Sequence, residues 1–134
     1  LDTGVRPLGK TYSILVADRN RHVRNYLKRY LAAEGFRVRL AKTGREVLHW
    51  AFHDDPLDLV IIDPNLSDER DLKVFEKILD RIPQLPVIVH GFTPDFNPPP
   101  VADSEVSFVE KRGGSIEELK RTVFEMLHPS SALP

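Results

Sequence analysis

Apolar residues follow two rhythms along this chain, short unbroken runs and stretches with an apolar residue every three or four positions, and the two alternate. "YSILVAD", "LDLVIID" and "PVIVHG" are apolar almost throughout, as strands covered on both faces of a parallel sheet are. "FRVRL" alternates apolar with arginine, so this second strand is half buried and belongs at an edge; "VSFVEK" supplies a fifth. Between them, Val23, Tyr26, Leu27, Tyr30 and Leu31 mark a first helix, which Gly35 stops. Val47, Leu48 and Ala51 mark a short second, and Leu72, Phe75, Leu79 and Ile82 a third. The last helix opens on an expected capping box, Ser115 to Glu118, and turns Ile116, Leu119, Val123 and Leu127 inward.

The rhythm fails once. "FTPDFNPPPVADSE" holds four prolines in fourteen residues. Each costs roughly 3 kcal/mol in a helix interior, so a fourth helix is shortened or replaced by a Pro-rich loop. The pattern predicts an α/β flavodoxin-like (βα)5 three-layer sandwich with parallel strand order 2-1-3-4-5, spanning residues 12–128, with tails at 1–11 and 129–134. In that topology ligands sit beyond the carboxyl ends of strands 1 and 3, which here end on Asp18 and Asp63, with Lys111 closing strand 5 nearby.

Composition narrows the class little. At 134 residues with 41% hydrophobic and 29% charged positions, this is one ordinary globular domain, without an apolar run long enough to span a bilayer. Cysteine is absent, which excludes disulfides and thiolate metal sites; a cytoplasmic location is expected from this and from the lack of a basic, apolar leader. The start at Leu1 fits a segment of a longer protein. Charge is uneven: residues 1–50 carry 11 Lys/Arg against 4 Asp/Glu (+7), the remainder 8 against 16 (−8). Halves of opposite sign neutralise one another when they fold together, so neither nucleic-acid nor membrane binding is expected.

Two acids and a lysine at a switch point suit a hard cation such as Mg²⁺ and a transferring phosphoryl group; a salt-bridged strand end explains them equally well. The motifs weigh in here. "ILVADRN", "LVIIDPNLSDERDLKV", "PVIVHG" and "SFVEKR" resemble the conserved segments of the receiver domain of bacterial two-component response regulators, a CheY-like likeness running from about Tyr12 to Leu127. The resemblance implies Asp63 as phosphoacceptor, Asp18 as the first of an acidic pair, and Asn65 as the residue whose carbonyl faces the metal. It implies Lys111 as the phosphoryl contact, and Gly91 and Phe108 as the switch positions.

Departures accompany the matches. Arg19 stands where the second, metal-ligating acid belongs, exchanging an oxygen ligand for a cation. Gly91 replaces the switch hydroxyl, Phe108 lacks a hydroxyl, Arg112 replaces the proline after the lysine, Pro64 offers no amide hydrogen, and Asp71 stands where a small residue belongs. The expectation is an atypical, pseudo-receiver interaction module with impaired phosphorylation and Mg²⁺ binding that is weak or absent. Its partners would be a histidine kinase, a phosphotransfer protein or an adjacent output domain, with a homodimer also open. The alternatives are a divergent working phosphoacceptor in a phosphorelay, whose only enzyme-like act is its own phosphorylation, and a flavodoxin-like binder of a small anion.

Remaining features have plainer readings. His49 and His53, at i and i+4, have a metal-clasping spacing but no third ligand. The basic run Arg19, Arg21, Arg24, Lys28 and Arg29 reads as a solvated helix face, Trp50 and Phe52 as packing residues, and "NPPP" as a rigid loop or a polyproline II ligand.

Overall fold

A computed structural model describes residues 11–81, 83–92 and 106–128. The Pro-rich segment from 93 to 105, the expected third-helix residue Ile82, residues 1–10 and the tail 129–134 lie outside them. Five parallel strands, β1 (Ser13–Ala17), β2 (Arg37–Ala41), β3 (Leu59–Ile62), β4 (Val87–Gly91) and β5 (Val106–Glu110), form one sheet in the order β2-β1-β3-β4-β5, as the sequence pattern predicts. Alternation along the strands sends side chains to two layers. Leu15, Ala17, Val60, Ile62, Val87 and Val89 pack against α2 (Gly44–Ala51), α3 (Glu69–Leu72) and α4 (Val74–Leu79). Ile14, Val16, Leu59, Ile61, Ile88 and Val109 meet α1 (Arg21–Ala33) and α5 (Ser115–Leu127) on the other face.

β2 is an edge, and Arg37 is exposed on it, whereas Arg39 turns its guanidinium over the Trp50 ring at 4.3 Å and pairs with Asp55 at 2.9 Å. Asn20 caps α1 by accepting from the amides of His22 and Val23.

Three local expectations fail. The third helix is two pieces, α3 and α4, because Lys73 adopts the left-handed conformation at φ 49° and interrupts the hydrogen-bond ladder. Only Leu27 and Leu31 of the first helix are buried; Tyr26 and Tyr30 are exposed, their ring centroids 4.7 Å apart. The stripe is narrower than its apolar letters suggest because a tyrosine keeps a polar tip in water while resting its ring on a neighbour. The capping box at Ser115 does not form. Gly114, at φ 85°, is the N-cap residue, and Ser115 Oγ instead lies 3.4 Å from His90 Nε2.

Asp68 makes a cap that sequence spacing hides. Its two carboxylate oxygens accept from the amides of Gly44 and Arg45, at 2.6 and 3.1 Å, so an acid from the loop after β3 seals the start of α2. Burial pushes this carboxyl up, but the two amides and the Arg45 charge outweigh it and hold the group below the usual carboxylate range.

Candidate functional site

Ala17 faces Ile62 in the β1–β3 register, so the next residue on each strand, Asp18 and Asp63, emerges side by side at the carboxyl edge of the sheet. Both are 1% exposed. Backbone bonds fix them: Asp18 N donates to Ala41 O at 3.0 Å, and Asp63 N to Ala17 O at 2.8 Å. Lys111 N donates to Gly91 O at 2.8 Å, which ties the residue after β5 to the end of β4.

Lys111 crosses the gap. Its Nζ lies 2.9 Å from Asp18 Oδ2 and 3.6 Å from Asp63 Oδ2. The other oxygen of each acid accepts a backbone amide two residues on, Asn20 N on Asp18 and Asn65 N on Asp63, both at 2.9 Å. Burial raises the Asp18 carboxyl above its ordinary value, and the Lys111 hydrogen bond and charge and the Asn20 amide only partly offset it.

Arg19 faces the site rather than leaving it. Its backbone N–H donates to Asp63 Oδ2 at 3.3 Å, its Nε lies 3.5 Å from the same oxygen, and its Nη1 donates to the Asn65 carbonyl at 3.5 Å. The side chain is half exposed, so this pair is screened, and its role is one of occupancy more than of strength. A divalent ion would seek the two acids and the Asn65 carbonyl. Those oxygens already face nitrogen, and among the described residues no group of three or more His, Cys, Asp or Glu is placed to hold a metal. An open groove of about 690 Å³ is lined by Arg19, Pro64, Asn65 and Arg70 among others, beside the acids but not by them.

The expected switch positions behave differently from one another. Phe108 is half buried, pairs with Val89 in the β4–β5 register and packs on the α2–α4 layer. Gly91 is buried, and a Cβ there would stand 2.7 Å from both Cδ and Cγ of Pro64. His49 and His53 come together, ring centroids 5.1 Å apart beside Trp50, as a surface aromatic cluster.

Sequence reading missed two participants. Arg24, assigned to the solvated face, donates from Nη1 to the Asp18 carbonyl at 2.7 Å and ties α1 to the site. His90 is 4% exposed, one residue before Gly91, and its Nδ1 has no partner among the described residues. Burial, then the Lys111 charge, push its pKa down to about 4, against a smaller opposing pull from Asp63. The signal was a lone polar residue inside the apolar run "PVIVHG".

Known proteins share this fold. Residues 14–95 match the response regulator receiver domain family. Response regulator RR06 of Streptococcus pneumoniae is 35% identical over 77 residues, 58% of this chain and 35% of that protein. The DNA-binding transcriptional regulator NtrC of a Bradyrhizobium species is 36% identical over 77 residues, again 58% of this chain but 16% of the relative. The matched region is thus a minor part of each relative. Among solved structures, the receiver domain of the hybrid histidine kinase CckA superposes with a TM-score of 0.71 at 24% identity, covering 86% of this chain and 98% of that one. The chemotaxis response regulator CheY4 of Vibrio cholerae gives 0.70 at 18% identity, covering 87% and 98%. With its strand order, its paired strand-end acids and a match over more than half its length, the chain belongs to the response regulator receiver domain family.

Proposed function

We propose that this receiver domain of two-component signalling works as a phosphorylation-impaired protein-interaction module. One observation carries the reading: Arg19, through its backbone N–H and guanidinium, and Lys111 both face Asp63 Oδ2, and Arg19 also takes the Asn65 carbonyl. By their positions Asp63 would be the phosphoacceptor and Lys111 the phosphoryl contact, and Asp18, Asp63 and Asn65 would form a weak metal site that Arg19 perturbs. The donor set does not favour a resident Mg²⁺, because Arg19 already holds Asp63 Oδ2 and the Asn65 carbonyl that such an ion would need. Gly91 adds to the impairment, since it carries no hydroxyl to follow a phosphoryl group.

The module acts in the cytoplasm through a protein partner, which is a histidine kinase, a phosphotransfer protein or an adjoining output domain. Among the described residues no helix is long and apolar enough to cross a membrane. Acetyl phosphate with Mg²⁺ should leave the intact mass unchanged. A gain of one phosphoryl group, abolished by Asp63→Asn, would overturn the proposal.

A second reading, a divergent working phosphoacceptor, draws on the retained Asp63–Lys111 approach of 3.6 Å. It requires saturable Mg²⁺ binding at the strand-end oxygens, read as shifts of the backbone amides around Asp63 in an NMR titration.

A further inference from the structure

We propose that His49 and His53, at the end of α2, form a two-ligand site for a divalent transition-metal ion of the copper, nickel and zinc class, distinct from the acids at the sheet edge. The helix makes the pair. α2 closes at Ala51, but its spiral runs on: Phe52 N donates to Leu48 O at 3.1 Å and His53 N to Trp50 O at 3.5 Å, which keeps residue 53 one turn beyond residue 49. Both imidazoles are exposed, with ring centroids 5.1 Å apart. That separation is one an ion would impose. An imidazole nitrogen binds zinc at about 2.0–2.1 Å, which puts each ring centre roughly 3.2 Å from the metal and two rings at a tetrahedral angle about 5.2 Å apart.

Trp50 holds the rings together, its centroid 4.9 Å from that of His49 at 75° and 5.9 Å from that of His53 at 64°, and Arg39 lies over the same indole at 4.3 Å. A clasp assembled before the ion arrives loses little freedom on binding it. On His53, Nδ1 meets the Asp55 amide at 3.3 Å and lies 3.9 Å from the Asp55 carboxylate, so that nitrogen has a neighbour of either polarity and Nε2 is the one left for a metal. Imidazole suits copper, nickel and zinc, whereas Mg²⁺ takes oxygen, so this site and the strand-end acids answer to different ions. No third His, Cys, Asp or Glu joins the pair among the described residues, so water fills the remaining positions. The site stands whether or not Asp63 accepts phosphate.

The first probe is Cu²⁺ titrated into the full chain, read by the fluorescence of Trp50, the one tryptophan, because copper held by rings that touch the indole quenches it. Saturable one-to-one quenching in the micromolar range is expected, reversed by EDTA. The second probe is Zn²⁺ followed by NMR, which should shift the His49 and His53 ring signals together, while millimolar Mg²⁺ leaves both in place. His49→Asn and His53→Asn should each weaken Cu²⁺ binding about tenfold or more, since one of two linked ligands is lost, and His22→Asn on α1 should leave it unchanged. All three side chains are exposed, so the variants keep the fold. Absence of saturable quenching, quenching undiminished in either His49→Asn or His53→Asn, or Zn²⁺ shifts confined to one of the two rings overturns the proposal.

Discussion

The ring of Pro64 occupies the space that any side chain at position 91 would need, with Cδ and Cγ each 2.7 Å from where a Cβ would stand. Real Cβ atoms do not approach carbon so closely, and a proline ring on the backbone next to Asp63 has little freedom to give way. Gly91 and Pro64 are therefore one feature. Gly91→Thr alone should destabilise the fold by about 1–3 kcal/mol through overpacking. Combined with Pro64→Ala, most of that loss should return. A double-mutant cycle in urea checks this, and strict additivity would refute the interlock.

His90 predicts a stability profile on the acid side. A histidine whose folded pKa is about 4, below its ordinary 6.5, takes up a proton more readily when unfolded. Its contribution is complete above pH 6.5 and is lost as pH falls toward 4, by about 3 kcal/mol over the whole window. Lys111 and Asp63 are the charged groups acting on the ring. His90→Leu should flatten the difference in unfolding free energy between pH 6.5 and 4 relative to the parent chain.

Lys111→Met should destabilise by about 3–5 kcal/mol at neutral pH, since two buried carboxylates would lose the cation between them. Asp18 fixes the sign of the pH dependence. An acid held above its unfolded value binds its proton more readily when folded, so the cost of burying it grows as pH rises through the folded value. Removing Lys111 extends that shift, and the penalty of the variant should shrink in acid. Chemical denaturation of both proteins at pH 7 and at pH 4.5 measures it.

Arg19→Asp should open the metal site. The change replaces a cation with an oxygen donor beside Asp18 and Asp63 and frees the Asn65 carbonyl. Saturable Mg²⁺ binding, millimolar or tighter and read as shifts of the Asp63 and Asn65 amides, is expected in the variant and not in the parent. Equal responses from both would show that Arg19 does not control the site.

Much of this was readable from letters. The three nearly unbroken apolar runs and the Arg-alternating "FRVRL" pointed to the strand order and its edge, because a parallel sheet buries its inner strands on both faces. Asp18, Asp63 and Lys111 were legible because a strand end fixes where a side chain emerges. What stayed hidden depends on distances between segments far apart in sequence. Nothing local to "PVIVHG" reveals that Gly91 answers Pro64, nothing in the spacing of Ser115 and Glu118 that the serine turns to His90, and nothing in "DLKV" that Lys73 takes a left-handed turn.

The cap that Asp68 places on α2 has a mechanical meaning. The loop leaving β3 is pinned at its first residue, where Asp63 receives the Asn65 amide and the Arg19 contacts, and again five residues on, where Asp68 grips the amides of Gly44 and Arg45. A span anchored at both ends transmits force without slack. A displacement of α2 would therefore be felt, through the span from Asp68 to Asp63, at the backbone beside the buried acid pair.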